Sequence, residues 1–152
     1  MKTPIAVLVA DDHEAVRESV CRLLQASEDI RVVAEARDGR EALQLAQQLR
    51  PDVVVLDISM PEMNGMDTLG KLRKRCPESQ VVLLTMYVHP DLIRRAFNGG
   101  AAGYVLKQNM VSELERAVRA ARAGRRFFSV DHEVSVPQRQ DGLMGTVSGL
   151  IS

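Results

Sequence analysis

The stretch Val53-Val54-Val55-Leu56-Asp57-Ile58-Ser59-Met60-Pro61 decides how the chain folds. Four apolar residues, three of them β-branched, read as a strand buried on both faces. The run stops at a carboxylate, and Pro61 cannot continue a sheet, so Asp57 falls where strand gives way to loop. A lone Asp at a strand end most often starts a turn. Here it has company: Ile5-Ala6-Val7-Leu8-Val9-Ala10 is a second buried-strand pattern, ending in Asp11 and Asp12. In an open parallel α/β sheet, ligands bind outside the carboxyl ends of the strands. Three acids at two such ends mark a site.

Outward from these two runs, strand and helix periods alternate. Val16, Val20, Leu23 and Leu24 share a helical face after Asp12, which is well placed as that helix's N-cap. Ile30, Val32, Ala34 and Ala36 occupy alternate positions with Arg31 and Glu35 between, the pattern of a strand wet on one side and near a sheet edge. Asp38 and Glu41 bracket a helix start as a capping box, and Ala42, Leu43, Ala46 and Leu49 supply its apolar face until Arg50-Pro51 ends it. Asn64-Gly65 leads into a helix carrying Met66, Leu69 and Leu72, where Gly70 costs about 1 kcal/mol relative to Ala. Val81-Val82-Leu83-Leu84 ends at Thr85, and His89-Pro90-Asp91 opens a helix stopped by Asn98-Gly99-Gly100. Gly103-Tyr104-Val105-Leu106 ends at Lys107, and Ser112 with Glu115 reads as a second capping box for the last helix.

Five βα units in succession imply an α/β fold, a five-stranded parallel sheet with helices on both faces and right-handed crossovers. The strand order 2-1-3-4-5 is taken over from flavodoxin-like (βα)5 folds, and it agrees with the alternating second strand lying at an edge. From Gly124 onward no sustained period appears, so residues 1–124 read as the domain and 125–152 as a linker or tail. Arg116, Arg119, Arg122, Arg125 and Arg126 read as a solvated helix face running into that linker.

Composition narrows the function. A chain of 152 residues with 45% hydrophobic content suffices for one domain with a proper core, and 3% aromatics without Trp makes that core aliphatic. Twenty basic and twenty acidic residues cancel, leaving no overall electrostatic pull toward nucleic acid or anionic membrane. Cys21 and Cys76 fall in separate helical patterns, suggesting neither a disulfide framework nor a metal knuckle. No apolar run approaches the roughly 20 residues of a membrane span, and the start lacks a signal-peptide pattern. The reading is a cytoplasmic protein with no membrane contact.

Asp11, Asp12, Asp57, Thr85 and Lys107 therefore converge on one edge of the expected sheet. This arrangement resembles the receiver domain of two-component response regulators, over about Ile5 to Gly124. The Asp11-Asp12-His13 opening, with Arg17 after it, is similar to the LuxR/FixJ-type subgroup. The resemblance implies that Asp57 accepts a phosphoryl group from a sensor histidine kinase, with Asp11, Asp12 and Asp57 holding Mg²⁺. It implies that Thr85 and Lys107 bind the phosphoryl group, and that Thr85 and Tyr104 form a switch controlling homodimerisation or a transcriptional output. It also implies a phosphoprotein rather than an enzyme, beyond self-catalysed gain and loss of that group.

The chemistry supports those assignments independently. Two like charges 4 Å apart repel by about 4 kcal/mol at an effective dielectric of 20. Mg²⁺ suits one or two carboxylates plus phosphate oxygens, and Thr85 and Lys107 are the donors available to meet added negative charge. Some positions depart from the family pattern. Gln108 follows the lysine where many receivers carry Pro, and Ser59 and Tyr87 stand where the family tunes the lifetime of the phosphoryl group. No LuxR-type helix-turn-helix pattern is recognisable between Gly124 and Ser152, so DNA contact is expected only through an output domain this chain lacks.

Other readings turn on single residues. An aspartyl-phosphate hydrolase of the haloacid dehalogenase type wants a second Asp two residues after the nucleophile, and Ser59 stands there. A flavodoxin-like cofactor module wants a phosphate-cradling loop where Asp11-Asp12 would repel phosphate. A phosphorylation-independent interaction module has no need of the complete acid set.

Overall fold

Strand alternation builds two cores on one sheet. The computed structural model describes residues 3–58 and 64–128. Its elements run β1 (Ile5–Ala10), α1 (Glu14–Gln25), β2 (Ile30–Ala36), α2 (Gly39–Leu49), β3 (Val53–Asp57), α3 (Gly65–Arg75), β4 (Gln80–Thr85), α4 (Pro90–Asn98), β5 (Gly103–Leu106), α5 (Met110–Arg122) and β6 (Phe127–Phe128). A 3-10 turn over Lys107–Asn109 joins β5 to α5. Every pairing is parallel, in the order β2-β1-β3-β4-β5-β6.

Successive residues of a strand point to opposite faces, so coverage on both sides demands consecutive apolar residues. Val53 and Val55 join Val7, Val9, Val82 and Leu84 in the layer under α1 and α5. Val54 and Leu56 join Leu8, Val81, Leu83 and Tyr104 in the layer under α2, α3 and α4. Each fully buried Val or Leu side chain stabilises the fold by about 1.5–3 kcal/mol relative to exposure. The edge position of β2 is as its alternation indicated.

Among the described residues the sheet has six strands, where five were expected. The sixth, Phe127–Phe128, pairs with β5 from within the segment read as linker or tail. Two residues are too few to show a period, so only tertiary contact reveals this strand. The rest of the tail reading, with its missing helix-turn-helix pattern, falls on residues 129–152, outside the described residues.

Helix starts divide between local and distant control. Asp38 Oδ1 accepts the Glu41 N–H at 2.8 Å while Glu41 Oε1 accepts the Arg37 N–H at 2.7 Å, a reciprocal cap close to that expected. The N-cap of α1 is His13 rather than Asp12, and its side chain makes no cap hydrogen bond. The capping box at Ser112 and Glu115 is not formed, because the 3-10 turn carries the chain straight from β5 into a helix already begun at Met110. Ser112 Oγ instead donates to the Asn109 carbonyl at 3.2 Å, and Glu115 accepts a hydrogen bond from Ser27 Oγ. The arginines that follow are not simply a solvated face. Arg119 pairs with both carboxylate oxygens of Asp29 at 2.7 and 3.0 Å, and Arg122 reaches Asp52 at 3.4 Å. Arg116 lies 5.2 Å over the Phe127 ring and Arg126 lies 4.0 Å over that of Phe97.

Two glycines of α3 make opposite demands. A Cβ on Gly65 would collide with Ile58 Cα and come within 2.9 Å of the Asp57 carbonyl oxygen, whereas one on Gly70 would meet nothing within 4 Å. Gly65→Ala is expected to lose about 1–3 kcal/mol through forced backbone displacement, and Gly70→Ala to gain about 1 kcal/mol from helix propensity. Urea unfolding of the two variants checks both signs.

Candidate functional site

Alternation also explains which groups meet at the carboxyl edge. Asp57 continues the face of Val53 and Val55, Asp11 the face of Val7 and Val9, and Lys107 the face of Val105. All three share the α1/α5 side, where β1 and β3 are neighbours and β5 lies two strands from β3. Lys107 Nζ stands 3.3 Å from Asp57 Oδ2 and 3.4 Å from Asp11 Oδ2. Both acids are 1% exposed. Asp12, freed of the capping duty, turns its side chain to the same cluster with partial exposure.

The loop after β1 is fastened from three directions. Asp11 Oδ1 accepts the His13 N–H at 2.9 Å. The buried Arg17 donates from Nη1 to the Asp11 carbonyl at 2.8 Å and from Nε to Glu35 Oε1 at 3.0 Å. Arg17 thus ties the site loop to the edge strand β2. Its role as a fastener has no sequence signature beyond its place one helical turn after His13.

Oxygen and nitrogen atoms from Asp11, Asp12, His13 and Asp57 all lie within 4.8 Å of one another. Asp11 Oδ2 and Asp12 Oδ1 are buried and accept no hydrogen bond. Such oxygens are ordinarily satisfied. A hard divalent cation takes several oxygen ligands, carboxylates foremost, so this donor set fits Mg²⁺. Three acids against one lysine also leave the cluster short of positive charge.

Thr85 and Tyr104 belong to the other face. Thr85 is fully buried at the end of β4, and its Oγ1 accepts the Tyr87 N–H at 3.1 Å. Tyr104 is also fully buried and donates its hydroxyl to the Tyr87 carbonyl at 2.9 Å. Burial pushes the Tyr104 phenol up to about 12, with Thr85 pulling the other way. The structure therefore brings Asp11, Asp12, Asp57 and Lys107 into one cluster and links Thr85 to Tyr104 through the Tyr87 backbone. Tyr104, on β5, thus already lies inside. Ser59 falls outside the described residues.

The geometry has close counterparts. The response regulator receiver domain matches residues 7–119. Over 136 residues the chain is 33% identical to the response regulator protein VraR of Staphylococcus saprophyticus, covering 90% of this chain and 65% of that protein. It is 37% identical over 126 residues to the nitrate/nitrite response regulator protein NarL of Escherichia coli, covering 83% and 58%. The chain thus spans 58–65% of the length of these curated relatives. A crystal structure of a LuxR-family two-component response regulator from Aurantimonas is similar with a TM-score of 0.78 and 35% identity, over 82% of this chain and 89% of that one.

Asp12 makes no cap bond and lies in a crowd of like charges, so removing its charge should relieve repulsion. In chelator, Asp12→Asn is expected to be more stable than wild type by about 1 kcal/mol, a discounted fraction of the pairwise repulsion. Urea unfolding in EDTA measures it, and a loss of stability would mean that Asp12 supports the helix after all.

Proposed function

The chain belongs to the response regulator receiver family, and on that premise we propose that Asp57 is the residue that takes its phosphoryl group. Phosphorylation-based signalling is the general function of this family. The observation carrying the assignment is the convergence of Asp11, Asp12 and Asp57 on one cluster with Lys107, two of its buried carboxylate oxygens making no hydrogen bond.

In this reading a sensor histidine kinase is the donor. An oxygen of the Asp57 carboxylate forms a bond to phosphorus as the bond from phosphorus to the donor's imidazole nitrogen breaks, that nitrogen keeping the electron pair. Asp11, Asp12 and Asp57 would hold Mg²⁺, which when bound would supply positive charge to offset the acids and the phosphoryl oxygens. Lys107, 3.3 Å from Asp57 Oδ2, exchanges part of its pairing with the carboxylate for pairing with the incoming group. Thr85 offers its hydroxyl from the neighbouring strand end. Water later attacks phosphorus as its bond to the Asp57 oxygen breaks, releasing inorganic phosphate and restoring the carboxylate; in this reading the protein is a phosphoryl acceptor, and that self-catalysed gain and loss is its only chemistry.

The switch formed by Thr85 and Tyr104 would govern homodimerisation or a transcriptional output. DNA would be contacted through an output domain, not through the receiver unit, whose expected bounds of 1–124 we extend to Phe128 because β6 belongs to the same sheet. No helix among the described residues is long and apolar enough to cross a membrane, and we place the protein in the cytoplasm.

Incubation with acetyl phosphate and Mg²⁺, read by intact mass, is expected to add a single phosphate, and Asp57→Asn to add none. A phosphate adduct persisting in that variant would overturn the assignment. EDTA is expected to slow the wild-type reaction by at least about tenfold, the scale of losing a group that stabilises transferred charge.

A further inference from the structure

Two helices of this protein begin at a histidine, and the two rings behave differently. His89, at the N-cap of α4, accepts the Asp91 N–H on Nδ1 at 3.2 Å. His13, at the N-cap of α1, makes no such bond. Its ring turns instead to the acids, with Nδ1 3.1 Å from Asp12 Oδ1 and 3.6 Å from Asp11 Oδ1. Asp12 Oδ1 nevertheless makes no hydrogen bond. The direction in which Nδ1 carries its proton or its lone pair therefore misses that oxygen. Asp11 Oδ2, on a residue 1% exposed, likewise makes none. A ring nitrogen of His13 and one oxygen from each of Asp11, Asp12 and Asp57 lie within 4.8 Å of one another. Donors on opposite sides of one ion are about 4.2 Å apart, twice a metal–ligand distance of about 2.1 Å, so these four need close only slightly.

We propose that His13 is a metal ligand, and that the cluster takes a later first-row divalent cation such as Ni²⁺ or Zn²⁺ through three carboxylates and an imidazole. The proposal rests on the three acids holding a divalent cation. Mg²⁺ is hard, prefers oxygen and keeps several waters, so it gains nothing from the ring. Imidazole suits Ni²⁺ and Zn²⁺. The His13 side chain is 68% exposed, so the ring can close on an ion without breaking packed contacts. Affinity rises from Mn²⁺ to Ni²⁺ at most nitrogen or oxygen sites, so tighter binding of Ni²⁺ than of Mg²⁺ decides nothing alone. What decides is which ion loses affinity when the ring is removed. A histidine acting only as a charged neighbour of the acids would shift both ions together. A ligand shifts Ni²⁺ alone.

The test is calorimetric titration of the untagged full chain with Ni²⁺ alone and with Mg²⁺ alone. His13→Gln is expected to weaken Ni²⁺ binding by about tenfold or more, no less than the loss of a group that merely orients a ligand. The same variant is expected to leave Mg²⁺ binding unchanged. His89→Gln, which removes a ring outside the cluster, is expected to leave both unchanged. Excess Mg²⁺ is expected to displace Ni²⁺, because the two ions share the acids. In the wild-type proton NMR spectrum, bound Ni²⁺ is expected to shift the ring protons of His13 far downfield by direct contact, a readout that holds even should His13→Gln not fold. Equal losses for the two ions, no loss for Ni²⁺, or Ni²⁺ bound without shifted His13 protons would overturn the ligand while leaving the acids as the Mg²⁺ site. Failure of wild type to bind either ion would overturn both readings.

Discussion

Lys107 Nζ stands 3.3 Å from one buried carboxylate and 3.4 Å from another, and much of the molecule serves to keep it there. Ionised acids at 1% exposure cost several kcal/mol each unless they are paired and hydrogen-bonded. Asp11 meets that requirement with the Lys107 ammonium, the His13 N–H and a backbone carbonyl pinned by Arg17. Strand spacing sets the geometry. With neighbouring strands about 4.8 Å apart, β5 lies roughly 10 Å from β3, a gap that only a long side chain bridges. Thr85, on the strand between, belongs to the opposite face and leaves the path open.

One ammonium cannot balance three carboxylates. The fold holds the acids in place through covalent connection to strands whose apolar residues are buried on both faces, so the repulsion cannot relax by separation. A cation that binds this arrangement and not the unfolded chain adds its binding free energy to stability. Signalling chemistry and fold stability therefore share one electrostatic balance. The same logic explains why the supporting contacts to Arg17 and Glu35 reach as far as the edge strand.

The inner strands were legible because double coverage forces runs such as Val53–Leu56 and Val81–Leu84, which no solvated strand carries. The acids were legible because they end those runs. Arg31 and Glu35 marked β2 as the edge. Other features depend on partners too distant to leave a local pattern. Glu115 meets Ser27 across 88 positions, so nothing nearby separates a tertiary partner from a capping residue. Asp12 suited both a helix cap and the acid cluster, and only the backbone of α1, capped at His13, separates them. Tyr104 could be named from its place in the fifth strand. Its inward position, and the two-residue strand stacked on it, depend on packing that spacing does not encode.

The scarcity of aromatic residues has an optical consequence. All of them, Tyr87, Phe97, Tyr104, Phe127 and Phe128, lie in the stretch from the β4–α4 loop to β6, and Trp is absent. Near-ultraviolet absorbance, circular dichroism and intrinsic emission therefore report on one flank of the sheet. Of the two tyrosines, one is 61% exposed and the other fully buried, and the buried hydroxyl bonds to the exposed residue's carbonyl. The carboxylate cluster and the β1–β2 side are spectroscopically silent. The flank that would carry a signal away from Asp57 is thus also the one that can be watched without a label.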